Sequence, residues 1–183
     1  MPLDPPCARQ TLGWMLRRRP LAARDERELA RRLGRCFDRG GASAVVAVLR
    51  AALSLEGRGG PSAALARGAA RALLRLGVPH EADELLPAVR AGLQREGGGE
   101  AGELLGRLLR VRSLLRAARI GRSCLVAVVG ELEGIECDGT LRRAAVALER
   151  LTGVSFEVAE LLVSELAAGE CDCELAMGTW LRW

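Results

Sequence analysis

The chain has 183 residues, 49% of them hydrophobic and 27% charged, a globular composition long enough for one domain or two small ones. Aromatic residues make up only 3%, with no Tyr and two Phe, which tells against roles that need stacking surfaces for sugars, bases or flat cofactors. Charge is split: residues 1–122 carry 23 Arg against 12 acids, net +11, and residues 123–183 carry 4 Arg against 11 acids, net −7, so copies or halves of the chain are electrostatically complementary.

In chain order the pattern is helix after helix, with almost no alternation of the strand type. A first helix over Cys7–Arg19 places Leu12, Met15 and Leu16 on one face with Trp14 beside them, and Pro20 stops it. A second, Ala22–Asp38, carries the stripe Leu29, Leu33, Cys36 and Phe37, and Gly40-Gly41 ends it. A third, Ala42–Leu55, buries Val45, Val46, Val48, Leu49 and Leu53. The fourth, Ser62–Leu76, presents Leu65, Ala69, Leu73 and Leu76, with Gly77 as its C′ residue. The fifth begins near Pro79 with Leu85, Leu86, Val89 and Leu93, and Pro87 must kink or divide it. Gly97-Gly98-Gly99 marks the expected internal boundary. A Leu-rich sixth helix spans Glu100–Ala118, and a seventh spans Ser123–Glu133. An eighth follows an Asp138 cap with Leu141, Ala145, Leu148 and Leu151. A ninth is capped by Ser155 and carries Val158, Leu161, Leu162 and Leu166. Leu33, Val48, Leu73, Leu125, Leu148 and Leu162 are the expected core.

The chain also resembles itself. Gly41-Ala-Ser-Ala-Val-Val-Ala-Val48 lies over Gly121-Arg-Ser-Cys-Leu-Val-Ala-Val128. Ala72–Val78 lies over Ala147–Val154 with Thr152 inserted, and Glu81–Leu86 lies over Glu157–Leu162. Order and punctuation are kept, which implies two related helical units in tandem, 1–96 and 97–170, followed by a tail, 171–183.

The chemistry-bearing residues are few. All 27 basic residues are Arg, and Lys, Asn and Tyr are absent, as in a GC-rich gene, so no internal amine is present for ubiquitin or acetyl transfer. Six cysteines form no CxxC pair. Cys171-Asp172-Cys173 is a C-x-C far in sequence from the lone His80, a weak zinc signal, so no metal is expected. Cys36 and Cys124 read as small core residues and the other cysteines as incidental. A triad could be built only around His80, which reads as a solvated residue at a helix start, and no phosphate-binding glycine motif follows a strand. The expectation is therefore a protein that is not an enzyme and has no cofactor. Residues 1–10 lack the apolar stretch of a signal peptide and no apolar run spans a membrane, which predicts a cytoplasmic or nuclear protein.

Two helical units of about 80 residues suggest tandem death-effector domains. In the second unit, Ser123-Cys-Leu-Val-Ala-Val-Val-Gly-Glu-Leu-Glu133 resembles the family's third and fourth helices, Cys137-Asp-Gly-Thr-Leu141 its polar turn, and Arg142–Leu151 and Val158–Leu166 its last two helices. In the first, Asp25-Glu-Arg-Glu-Leu29 resembles the acidic start of helix two. His80–Leu85 and Phe156–Leu161 stand where the family carries a charged Arg-x-Asp-Leu signature, which neither segment has. The resemblance implies six-helix bundles that bind homotypic partners through opposed charged patches, acting as an adaptor or inhibitor in death-receptor or innate signalling, with death-domain adaptors or procaspases as partners.

The competing architecture is an armadillo- or HEAT-like stack serving as a scaffold, since helix starts near 22, 42, 62, 80, 100, 122, 138 and 155 give pairs of solenoid length. Residues Leu104–Leu151 more weakly resemble the helical N-terminal domain of transcription elongation factors. A basic nucleic-acid-associated protein ranks last, because the arginines are interleaved with acids. The expected partner-binding residues are Arg31, Arg32 and Arg35 on the basic side and Glu131, Glu133, Glu157 and Glu160 on the acidic side, with self-association between copies. Trp180 and Trp183 are the candidate apolar anchors.

Overall fold

The computed structural model describes residues 6–56, 59–121, 123–125, 127–128 and 140–167. Every regular element among them is helical, so the protein is all-α. The helices are α1 (Pro6–Arg17), α2 (Glu26–Leu55), α3 (Ala63–Arg75), α4 (Leu86–Glu96), α5 (Gly99–Ala117), α6 (Thr140–Thr152) and α7 (Phe156–Ala167), with 3-10 turns at Ala23–Asp25 and His80–Leu85. None of the helices is long and apolar enough to cross a membrane, among the described residues. The described residues divide into two compact units, one formed by residues within 6–73 and 79–106, the other by residues within 74–78 and 107–167.

In the first unit, the two helices expected on either side of Gly40-Gly41 run on as α2, interrupted at one residue. Gly41 has φ 65° and ψ −163°, a conformation open essentially to glycine alone. Before that break, Leu29, Leu33 and Cys36 are fully buried; after it, Val45, Val46, Val48, Leu49 and Leu53 are buried. α1 packs on α2 through Cys7, Ala8, Thr11, Trp14 and Met15, a stripe rotated from the expected one, so Leu16 is left 45% exposed. Cys7, expected to be incidental, is a core residue beside Cys36, whose sulfur shares a 3.3 Å hydrogen bond with Thr11 Oγ1. Pro87 divides the expected fifth helix: His80–Leu85 takes 3-10 form, and the proline sits in the first turn of α4, where its missing N–H costs nothing.

α3 and α4 approach closely because small residues meet there. A Cβ added to Gly92 of α4 would lie 2.5 Å from Ala66 Cβ; on the side of α3 that faces α2, one added to Gly68 would lie 2.5 Å from Leu29 Cδ2. Arg95 ties α4 to the segment before α3, donating to the carbonyls of Pro61 (2.6 Å) and Gly59.

In the second unit, α6 and α7 pack as a pair through Ala144, Ala145, Ala147 and Leu148 against Ala159, Leu162, Val163 and Leu166, all buried. Arg110 forms a two-pronged ion pair with Glu165 of α7, at 2.6 and 3.1 Å, and Arg107 donates to the Glu165 carbonyl. Residues 74–78 enter this unit with Leu76 and Val78 fully buried. Val78 has φ 43°, a left-handed conformation that a β-branched residue avoids; burial and a 3.1 Å bond from Arg116 to its carbonyl hold it there. Leu141, Leu151 and Leu161, expected on apolar faces, are 42–47% exposed. All six expected core residues are at most 1% exposed.

The internal resemblance has a local counterpart. α3 and α6 each have 13 residues, and each is followed by a left-handed glycine and a valine, Gly77-Val78 (φ 66° at the glycine) and Gly153-Val154 (φ 72°). Glu81–Leu86 and Glu157–Leu162 differ: the first is mostly 3-10, the second α.

Candidate interaction surface

The first half of α2 buries Leu29, Leu33 and Cys36, so helical geometry puts the residues between them on the solvent side. Arg27, Arg31, Arg35 and Arg39 recur there every four residues, and all four are exposed. Four residues of α-helix advance ~6 Å, so the guanidinium groups form a row ~18 Å long.

One carboxylate sits among the three arginines singled out from the sequence. Glu28 lies 2.6 Å from Arg31, 2.8 Å from Arg32 and 3.5 Å from Arg35. Three positive charges around one negative leave a local excess of two. Arg31 and Arg35 are 63% and 52% exposed, so these pairs are worth only ~0.3–0.5 kcal/mol each and hold neither side chain against a competing anion. Arg32 differs. It is 25% exposed, and its guanidinium stacks over Trp14, 4.9 Å from the ring centroid. It positions α1 against α2, while Arg31 and Arg35 face outward.

A second charged network, also within the first unit, has no signature in the sequence. Arg67 of α3 donates to Glu26 at 2.5 and 2.8 Å and to Glu96, and Arg71 bridges Glu26 (2.7 Å) and Glu100 (3.0 Å). It links the starts of α2 and α5 to the end of α4 through α3. Its partners are 29 to 45 residues apart, beyond what helical spacing reveals.

On the acidic side, Glu157 and Glu160 lie one turn apart near the start of α7, and both are exposed. The Glu157 carboxyl is held below the usual carboxylate range by its own backbone N–H at the helix start and by the Ser155 side chain. Arg31, Arg32 and Arg35 are thus brought together in the first unit, and Glu157 and Glu160 in the second. Glu131, Glu133, Trp180 and Trp183 lie outside the described residues. Among the described residues, no three His, Cys, Asp or Glu side chains gather where they could hold a metal ion.

What the fold defines is an all-α protein bearing an arginine row on one helix and paired carboxylates at the start of another. Comparison with protein-family models, characterised proteins and solved structures finds no match.

Proposed function

We propose that this chain is a non-enzymatic interaction protein, an adaptor or inhibitor that binds homotypic partners by docking acidic helix faces on the arginine row of α2. The observation that carries the reading is that row: four exposed guanidinium groups at regular spacing on a helix whose opposite face is anchored in the core. A row of like charges spaced along a helix anchored in the core steers encounter with a surface of opposite sign. Glu157 and Glu160 on α7 are such a surface in a second copy. Opposed charged patches also suit the death-effector resemblance, and the signalling we propose for the protein is that of death receptors or related innate pathways.

The test is a charge swap read by sedimentation. Association of the wild-type chain weakens as salt rises. Arg31→Glu with Arg35→Glu removes this salt-sensitive component, and so does Glu157→Arg with Glu160→Arg. Mixing the two variants restores it, because each supplies what the other lacks. A strict monomer at low salt, or a mixture that fails to associate, refutes the reading. Selective binding of duplex DNA by the wild type, lost in the arginine variant, would assign the row to nucleic acid instead.

A further inference from the structure

A different surface of the first unit joins exposed leucines to a charged rim. Where the ends of α1 and α2 meet, Leu16, Leu21, Leu55 and Leu65 line a shallow apolar depression rimmed by Arg19 and Glu56, which pair at 3.6 Å. Single exposed leucines are ordinary on a protein surface. Here two of them, Leu16 at 45% and Leu55 at 43%, flank the same depression. Arg17 and Arg18 stand exposed beside Arg19; Arg18 pairs with Asp25 at 3.3 Å, and the rim keeps a net positive charge.

The sequence contains a segment of matching chemistry. Residues 170–183 carry Glu170, Asp172 and Glu174, then Trp180, Leu181 and Trp183. The chain has three tryptophans, and Trp14 is buried in α1, 8% exposed, so Trp180 and Trp183 are the two left to serve as aromatic anchors.

We infer that the depression between Leu16 and Leu55 is the docking site for residues 170–183 of a second copy of this chain. An indole from Trp180 or Trp183 lies across the two leucines and donates its N–H to the Glu56 carboxylate, which Arg19 keeps at the rim. The three acids that precede the tryptophans meet Arg17 and Arg18. The opposite charges of the two halves of the chain favour this head-to-tail encounter between copies. Such a contact is heterologous: the donor segment and the acceptor groove are different surfaces, so each copy can accept one neighbour and donate to another.

The test uses two full-length variants and one labelled peptide. W180A/W183A removes the chain's own anchors and leaves the groove free. A fluorescein-labelled peptide of residues 170–183, titrated into this variant and followed by anisotropy, binds saturably. Adding Leu16→Glu and Leu55→Glu to the variant weakens binding by roughly tenfold or more. Both leucines are substantially exposed, so these changes leave the fold intact, as an unchanged circular dichroism spectrum verifies. Adding Arg31→Glu and Arg35→Glu leaves the affinity unchanged, which separates this site from the arginine row of α2. A peptide that does not bind, binds equally well to the Leu16→Glu/Leu55→Glu variant, or loses its affinity on the arginine substitutions overturns the inference. So does a wild-type chain that stays monomeric at every concentration.

Discussion

Replacing Gly92 with Ala tests how tightly the first unit is packed, because two opposing effects can be weighed from the structure. Alanine in a helix interior is better than glycine by ~1 kcal/mol, so propensity alone predicts stabilisation. The new methyl, however, would sit 2.5 Å from Ala66 Cβ and 3.0 Å from Pro61 Cγ, where carbon atoms rest comfortably at ~3.5–4.0 Å. Ala66 Cβ is fixed to its backbone and has no rotamer to escape into, so α4 must move away from α3 by ~1 Å. Overpacking of this kind costs ~1–3 kcal/mol. The shift also strains the bonds from Arg95 to the Pro61 and Gly59 carbonyls, worth ~1 kcal/mol each. The net expectation is a loss of ~1–3 kcal/mol. Gly102 on α5 is the control: its added methyl meets no atom within 4 Å, so Gly102→Ala gains ~0.5–1 kcal/mol. Urea unfolding followed by circular dichroism gives both values. Equal signs for the two substitutions, or a Gly92→Ala protein at least as stable as wild type, would refute the packing argument.

Burial pushes the Cys36 thiol from 9.0 up to about 11, against the lowering effect of its bond to Thr11. The unfolded thiol ionises first, so stability is full below about pH 9 and falls until about pH 11; with no Lys or Tyr in the chain, Cys36→Ala should flatten that slope in thermal melts across the window. Ser155→Ala should raise the Glu157 pKa, as read by NMR titration of its side-chain carboxyl, while an unshifted value would leave the helix-start N–H as the sole cause. Arg67→Met should destabilise by ~1–3 kcal/mol in urea unfolding, because it removes the Arg67 bond from Glu96 and leaves Glu26, only 15% exposed, with Arg71 in place of two arginines; Arg67→Lys should recover part of the loss.

The stripes Leu29–Leu33–Cys36 and Val45–Val46–Val48–Leu49 were legible because large apolar residues recur at helical spacing with clear punctuation at Gly41, Gly77 and Pro87. Reading was poorer where alanine builds the interface. Ala66, Ala69, Ala70 and Ala72, and then Ala144, Ala145 and Ala147, are buried, yet alanine suits either face of a helix. Leucine drew the expected faces of α6 and α7 toward Leu141, Leu151 and Leu161, whereas the small residues set the contact and leave those leucines exposed. On the surface, the arginines at 31, 32 and 35 were visible in the sequence, but their different tasks were not. Trp14 separates Arg32 from its neighbours, and that requires α1 to lie against α2. The network around Arg67 was illegible for the same reason: its carboxylates come from three other helices.

Gly41 carries a consequence for how the first unit closes within one chain. Were its backbone helical, α2 would be one uninterrupted rod of 30 residues, ~45 Å long. Val45, Val48 and Leu49 would then be carried out of their own core toward solvent, leaving a vacancy that the same residues of another molecule fit perfectly well. One pair of dihedral angles therefore decides whether the second half of α2 closes on its own chain or is exchanged with a neighbour's. An alanine at 41 would meet no atom within 4 Å, so nothing in the packing forbids it; only the backbone conformation does. The expected result of straightening is a pair of molecules that have exchanged identical segments, which sedimentation of the Gly41→Ala chain would reveal as a dimer.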